Sequence, residues 1–112
     1  MAPDQDFGLQ RSEFIPFFNI PTATLTATWR LARQTQAVVL TMWPRRLADG
    51  SYHICIGSPL PGVSEASPAV LLTALNERIE AAVRASPEDY WWFHRRFKTT
   101  PPGVENRYAK RD

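Results

Sequence analysis

Cysteine occurs once in this 112-residue chain, at Cys55, and histidine only twice, at His53 and His94. A lone thiol excludes an internal disulfide and leaves no second thiol at metal-ligand spacing, so a reducing, cytoplasmic-side setting is the simplest expectation. His53 and Cys55 would share a face of a strand, but two donors fall short of the four ligands of a structural zinc site, and packing is the expected role. Nothing nearby in sequence lowers the thiol pKa, so the pair is no Cys-His nucleophile either. No run of about 18 apolar residues is present, which leaves no candidate for a membrane-spanning helix. The opening Met1-Ala2-Pro3-Asp4 lacks the basic-then-apolar pattern of a secretory signal. Internal repeats, low-complexity tracts and recognised nucleic-acid motifs are also missing.

What is present suffices for a core. An apolar fraction of 44% over 112 residues fits one folded domain covering residues 1–112 rather than a disordered chain. The overall charge of +2 conceals an asymmetry. From His94 onward six Lys or Arg residues (Arg95, Arg96, Lys98, Arg107, Lys110, Arg111) stand against Glu105 and Asp112, so the preceding part is net negative. Cations gathered at one end favour an anionic partner: lipid phosphate, an acidic carrier protein or nucleic acid.

The chain alternates strand and helix signals. Residues 4–11 read as a loop before a short apolar strand, Phe14-Ile15-Pro16-Phe17-Phe18, whose proline argues against a central position. Over residues 24–34, Leu25, Thr28, Trp29 and Ala32 recur at i, i+3, i+4 and i+7, the stripe of an amphipathic helix capped by Thr22 or Thr24. Ala37-Val38-Val39-Leu40-Thr41-Met42-Trp43, ended by Pro44, reads as a strand covered on both faces. Asp49-Gly50 reverses the chain into Tyr52-His53-Ile54-Cys55-Ile56, and the two strands should form an antiparallel hairpin. Arg45 and Arg46 read as ordinary charges of that hairpin loop. Residues 57–67 are an aperiodic surface connection. Ser67-Pro68 then reads as N-cap and first helical position before Leu71 or Leu72, Leu75, Ile79 and Val83. Ser86-Pro87-Glu88-Asp89 repeats that start signal and predicts a short last helix to about Arg95, followed by an irregular tail pinned, if at all, by Tyr108. The expected class is α/β, a partial mixed sheet with flanking helices.

The densest feature is Pro87-Glu88-Asp89-Tyr90-Trp91-Trp92-Phe93-His94-Arg95-Arg96-Phe97-Lys98-Thr99-Thr100-Pro101-Pro102-Gly103, which joins aromatic surface to cationic donors. Its aromatics are expected in the core, whereas Arg95, Arg96 and Lys98 have the chemistry of a phosphate site or, alternatively, of a solvated face paired with Glu88 or Asp89. This block resembles the carboxyl-terminal stretch of the late acyltransferases of lipid A synthesis, the lauroyl and myristoyl transferases of Gram-negative bacteria. A second block, Asp4-Gln5-Asp6-Phe7-Gly8 with Phe14-Ile15-Pro16-Phe17-Phe18-Asn19-Ile20-Pro21-Thr22-Ala23-Thr24, is similar to another segment of that family. Asn19, Gln36 and Thr100 depart from it where the family often has Gly, Gly and Arg.

The resemblance implies the carboxyl-terminal part of a glycerolipid-acyltransferase-like fold, in an enzyme moving an acyl chain from acyl carrier protein to a lipid A precursor hydroxyl at the cytoplasmic face of the inner membrane. It implies no metal and no tightly held cofactor, peripheral contact with the membrane surface, and association with an amino-terminal half. It places Asp4 and Gln5 on the active-site side and assigns Arg95, Arg96 and Lys98 to phosphate contact or pocket support. The family's base is the imidazole of a His-x-x-x-x-Asp/Glu motif, where the carboxylate orients the ring and stabilises the imidazolium. Here His53 leads to Ser58 and His94 to Thr99, so the motif is absent and no catalytic residue is assigned. The rival expectations are a small basic aromatic module for anionic lipid or single-stranded nucleic acid, and a truncated or split gene product.

Overall fold

Two consecutive residues with positive φ, Phe18 at 50° and Asn19 at 61°, reverse the chain in a two-residue loop. They join β1 (Ser12–Phe17) to β2 (Ile20–Leu25), which pair antiparallel with Phe17 opposite Ile20 and Ser12 opposite Leu25. Positive φ at both central positions is the type I′ geometry that matches the twist of paired strands. Asn19 tolerates it, whereas Phe18 is held there by its surroundings. The Phe18 amide donates to Glu80 Oε1 at 2.6 Å, the ring meets Phe17 edge-on at 4.7 Å, and Arg84 lies over it at 4.9 Å.

The structure, a computed structural model, describes residues 4–60, 65–90 and 94–108. After β2 come α1 (Ala27–Thr35), the hairpin of β3 (Met42–Arg46) and β4 (Tyr52–Ile56), α2 (Pro68–Ala85) and a 3₁₀ turn at Pro87–Asp89. The fold is α/β, with the strands arranged as two separate two-stranded antiparallel sheets among the described residues. Ser67 caps α2 as its sequence predicts, its hydroxyl accepting from the Val70 amide with Pro68 in the first turn. That helix buries Leu71, Leu72, Leu75, Asn76 and Val83, and packs on β1. Its leucines meet Ile15, Ala32, Val39 and Leu60 in one apolar cluster, with Trp29 and Ile79 against it. Trp29 satisfies its indole by donating to the Ala66 carbonyl at 2.8 Å.

Several local expectations are corrected. β2 lies where the sequence reads as the approach to a helix, so Thr22 and Thr24 are fully buried strand residues rather than caps. The α1 N-cap is Thr26, whose hydroxyl donates to the Arg11 carbonyl instead of capping. Gln36 takes the left-handed conformation that a glycine would provide, φ 56° and ψ 28°, and its side-chain amide donates to the Arg33 carbonyl. Residues 37–41 are not a strand, and the run is covered on one face only. Val39 and Thr41 are buried, whereas Val38, Leu40 and Met42 are 69%, 51% and 70% exposed. Pro44 lies within β3, which has one neighbour, so its missing amide leaves an outer edge unpaired rather than a ladder broken. β3 and β4 form the expected hairpin, closed by Leu47 and Ser51, with Gly50 at φ 87°. His53 is exposed opposite Arg45, and Cys55 is half-buried opposite Trp43.

The last predicted helix is also corrected. It stops after one 3₁₀ turn, Tyr90 is extended at φ −82° and ψ 139°, and residues 94–100 are non-helical. Trp91, Trp92 and Phe93, expected within it, lie outside the described residues. Among the described residues no helix is long and apolar enough to cross a membrane.

Candidate functional site

The amino-terminal loop and the carboxyl-terminal cationic segment, nearly ninety residues apart, meet at Asp6. Asp6 is 3% exposed. Its backbone amide donates to His94 Nε2 at 2.8 Å, and its carboxylate accepts from the Thr99 amide and the Thr99 hydroxyl, each at 2.8 Å. The Gly8 amide adds a third donor at 2.8 Å, which folds residues 6–8 into the local turn that aspartate favours.

Of the residues expected to contact substrate, Asp4 and Gln5 are half-buried just before this junction, and Arg95 and Lys98 are exposed within it. Arg95 lies over the Tyr108 ring at 5.7 Å, while the Phe97 amide donates to the Tyr108 hydroxyl at 3.2 Å. Tyr108 therefore pins the tail. Inside this segment the Arg96 amide donates to the His94 carbonyl and the Lys98 amide to the Arg95 carbonyl, keeping the cations on tight consecutive turns.

Arg96 differs from its neighbours: it is 2% exposed. One guanidinium nitrogen donates to the Ala23 carbonyl at 2.6 Å and another to Thr24 Oγ1 at 3.2 Å, with the Phe17 ring 5.5 Å away. Thr24 Oγ1 also receives Asn76 Nδ2 at 3.4 Å and donates to the Thr22 carbonyl, so its hydrogen-bonding capacity is filled. Burial pushes the guanidinium below its ordinary range, and the negative charge of Tyr90, Asp6 and Asp4 opposes that shift. Tyr90 is pushed up to about 12, first by burial and then by the charge of Asp4. Asp4 thus faces the same buried corner as Arg96 and Tyr90. It also borders an open groove of about 1080 Å³ whose walls include Leu31, Val39, Trp43, Leu75 and Val83.

Sequence reasoning singles out Asp4, Gln5 and the three cations as candidates but passes over the groups that tie their two segments together. Asp6 stands inside the quoted Asp4-Gln5-Asp6 motif and could have been singled out there. Thr99, Thr24 and Asn76 carry no local signal, because their roles arise from contacts 52 to 93 residues away in sequence. Among the described residues no group of three or more His, Cys, Asp or Glu side chains can hold a metal ion.

Comparison with known proteins gives one consistent family. The family described as bacterial lipid A biosynthesis acyltransferase matches residues 1–99. The chain is 42% identical to a lipid A biosynthesis lauroyltransferase of Escherichia coli (strain K12), over 96% of this chain and 36% of that protein. It is 40% identical to a lipid A biosynthesis palmitoleoyltransferase of the same strain, over 96% of this chain and 35% of that protein. With a lipid A biosynthesis myristoyltransferase of that strain it shares 35% identity, over 98% of this chain and 34% of the relative. The chain therefore spans about a third of the length of the curated relatives it matches.

Proposed function

The chain belongs to the bacterial lipid A biosynthesis acyltransferase family, and from that premise we propose that it forms the carboxyl-terminal, anion-holding portion of an acyl-transferring enzyme. The complete enzyme moves a fatty acyl chain from acyl carrier protein to a hydroxyl of a lipid A precursor at the cytoplasmic face of the inner membrane. The observation that carries the reading is the family match through residues 1–99, which takes in both the Asp4-Gln5 turn and the cationic segment.

Each residue then has a role suited to its position. Arg95 and Lys98, both exposed and joined through one backbone turn, donate to the phosphate of a glucosamine lipid. Each charge-assisted bond contributes about 1.5 to 3 kcal/mol when sheltered from water. Arg96 supports the pocket from inside, because its donors are directed to Ala23 and Thr24. Asp4 and Gln5 offer a carboxylate and an amide to orient the sugar. Proton abstraction belongs to the rest of the enzyme: His94 has Thr99 five positions on, and its Nε2 accepts from the Asp6 amide. Neither a metal nor a tightly bound cofactor enters this scheme.

Binding separates this reading from a nucleic-acid module. The purified chain is expected to bind detergent micelles carrying an acylated, phosphorylated glucosamine disaccharide, with inorganic phosphate competing and the Arg95→Ala, Lys98→Ala double variant failing. Salt-sensitive retention of single-stranded oligonucleotides, with no preference for the phosphorylated lipid, would overturn it.

A further inference from the structure

We propose that Asp6 is the positioning residue of this site: by grasping both His94 and Thr99 it fixes the ends of the segment carrying Arg95, Arg96 and Lys98 and locks that segment to the Asp4-Gln5 turn. This rests on the phosphate reading above and names the device that gives it geometry. His94 and Thr99 bracket the cations, and Asp6 holds one through its amide and the other through its carboxylate. The grip on Thr99 is two-pronged, amide to Oδ2 and hydroxyl to Oδ1, which fixes orientation as well as distance. The turn to Gly8 constrains the carboxylate from its own side. A carboxylate suits this position because it accepts at both oxygens, whereas an asparagine would present an NH₂ to one of three donors. The imidazole completes the latch only as an acceptor, so His94 must be neutral with its proton on Nδ1.

The consequence is specific. Arg95 and Lys98 touch a phosphate directly, while Asp6 acts through them. Loosening Thr99 alone therefore weakens phosphate binding although every cation is retained.

The test compares Thr99→Val with Thr99→Ser, alongside Asp6→Asn, in the full chain. Hydrogen exchange reads the latch: the Asp6 and Gly8 amides are slow in the unaltered chain and in Thr99→Ser, and accelerate in Thr99→Val while the Leu72 amide stays protected. Nitrogen NMR of the histidines should show His94 with Nδ1 protonated and Nε2 bare. Titration with the phosphorylated glucosamine lipid reads the consequence. Thr99→Val should bind about fivefold more weakly, the scale of one hydrogen bond, and Thr99→Ser should recover. Unchanged lipid affinity in Thr99→Val, with its Asp6 and Gly8 amides accelerated, would overturn the proposal, as would a His94 protonated on Nε2. If the latch is intact but the unaltered chain does not bind the lipid, the phosphate reading fails instead.

Discussion

Arg96 donates to the main-chain carbonyl of Ala23 at 2.6 Å, across 73 residues of sequence. This bond ties the carboxyl-terminal segment to the inner strand of the first hairpin, and Thr24 extends the link to Asn76 on α2. Three parts of the chain thus share one buried polar corner beneath the exposed cations.

Arg96→Ala should therefore behave as a stability variant. Losing two hydrogen bonds from a buried cation, and the contact with Phe17, is expected to cost about 2 to 3 kcal/mol. Arg96→Lys should recover little, because an ammonium cannot span Ala23 and Thr24 as the planar fork does. Denaturant midpoints at constant slope read both. An Arg96→Ala chain of unaltered stability would contradict the corner's structural role.

The Phe18-Asn19 loop supplies a second test. Asn19 sits at φ 61°, where most side chains crowd the backbone. Asn19→Ala should lower stability by about 1 kcal/mol, whereas Asn19→Gly should be close to neutral. Equal stability of the alanine and glycine variants in denaturant titration would show that the loop is not held in this conformation.

Alkaline stability depends on Tyr90. Its phenol is raised from 10.0 to about 12 in the folded chain, so on raising the pH the unfolded chain gives up this proton first. Stability should consequently fall between pH 10 and about pH 12, since there the native state holds more protons than the unfolded one. Tyr90→Phe should flatten that part of the profile. An unchanged slope in the variant would remove Tyr90 as its cause.

One surface predicts how the chain behaves alone. Met42 and Ile56 face each other across β3 and β4, and Tyr52 and Ile54 continue the same face at 62% and 59% exposed. With Val38 and Leu40 leading into it, this is apolar surface of the kind that drives association, on a two-stranded sheet that is marginal without support. Sedimentation velocity should show self-association that Ile54→Lys with Ile56→Lys reduces, and thermal unfolding should be broad. A strict monomer with a sharp transition would contradict this.

Local signals carried the parts of the fold that were legible. Ser67-Pro68 and the leucine spacing define α2, and Asp49-Gly50 defines the second hairpin, because cap and turn chemistry acts within a few residues. The first hairpin was only half visible. Thr22, Ala23 and Thr24 lack the apolar alternation of a strand and are nonetheless buried, with Arg96 bonded to Ala23 and Thr24 and Asn76 to Thr24, while a phenylalanine at positive φ gives no turn signal. The last helix failed for the converse reason: its start signal is sound, but residues 94–99 are held in turns by the contacts of Asp6 with His94 and Thr99. At the site, charge identified Arg95, Arg96 and Lys98 together, and only packing separates the buried one from the exposed two.

The most direct measurement is acyl transfer from lauroyl-loaded acyl carrier protein to a phosphorylated glucosamine lipid. It should compare the chain alone with a chimera in which the chain replaces the matching third of the Escherichia coli lauroyltransferase. The chain alone should leave both reactants unchanged, the chimera should transfer, and Arg95→Ala with Lys98→Ala in the chimera should raise KM more than it lowers kcat. Turnover by the isolated chain, or a folded chimera indifferent to the loss of both cations, would contradict the account.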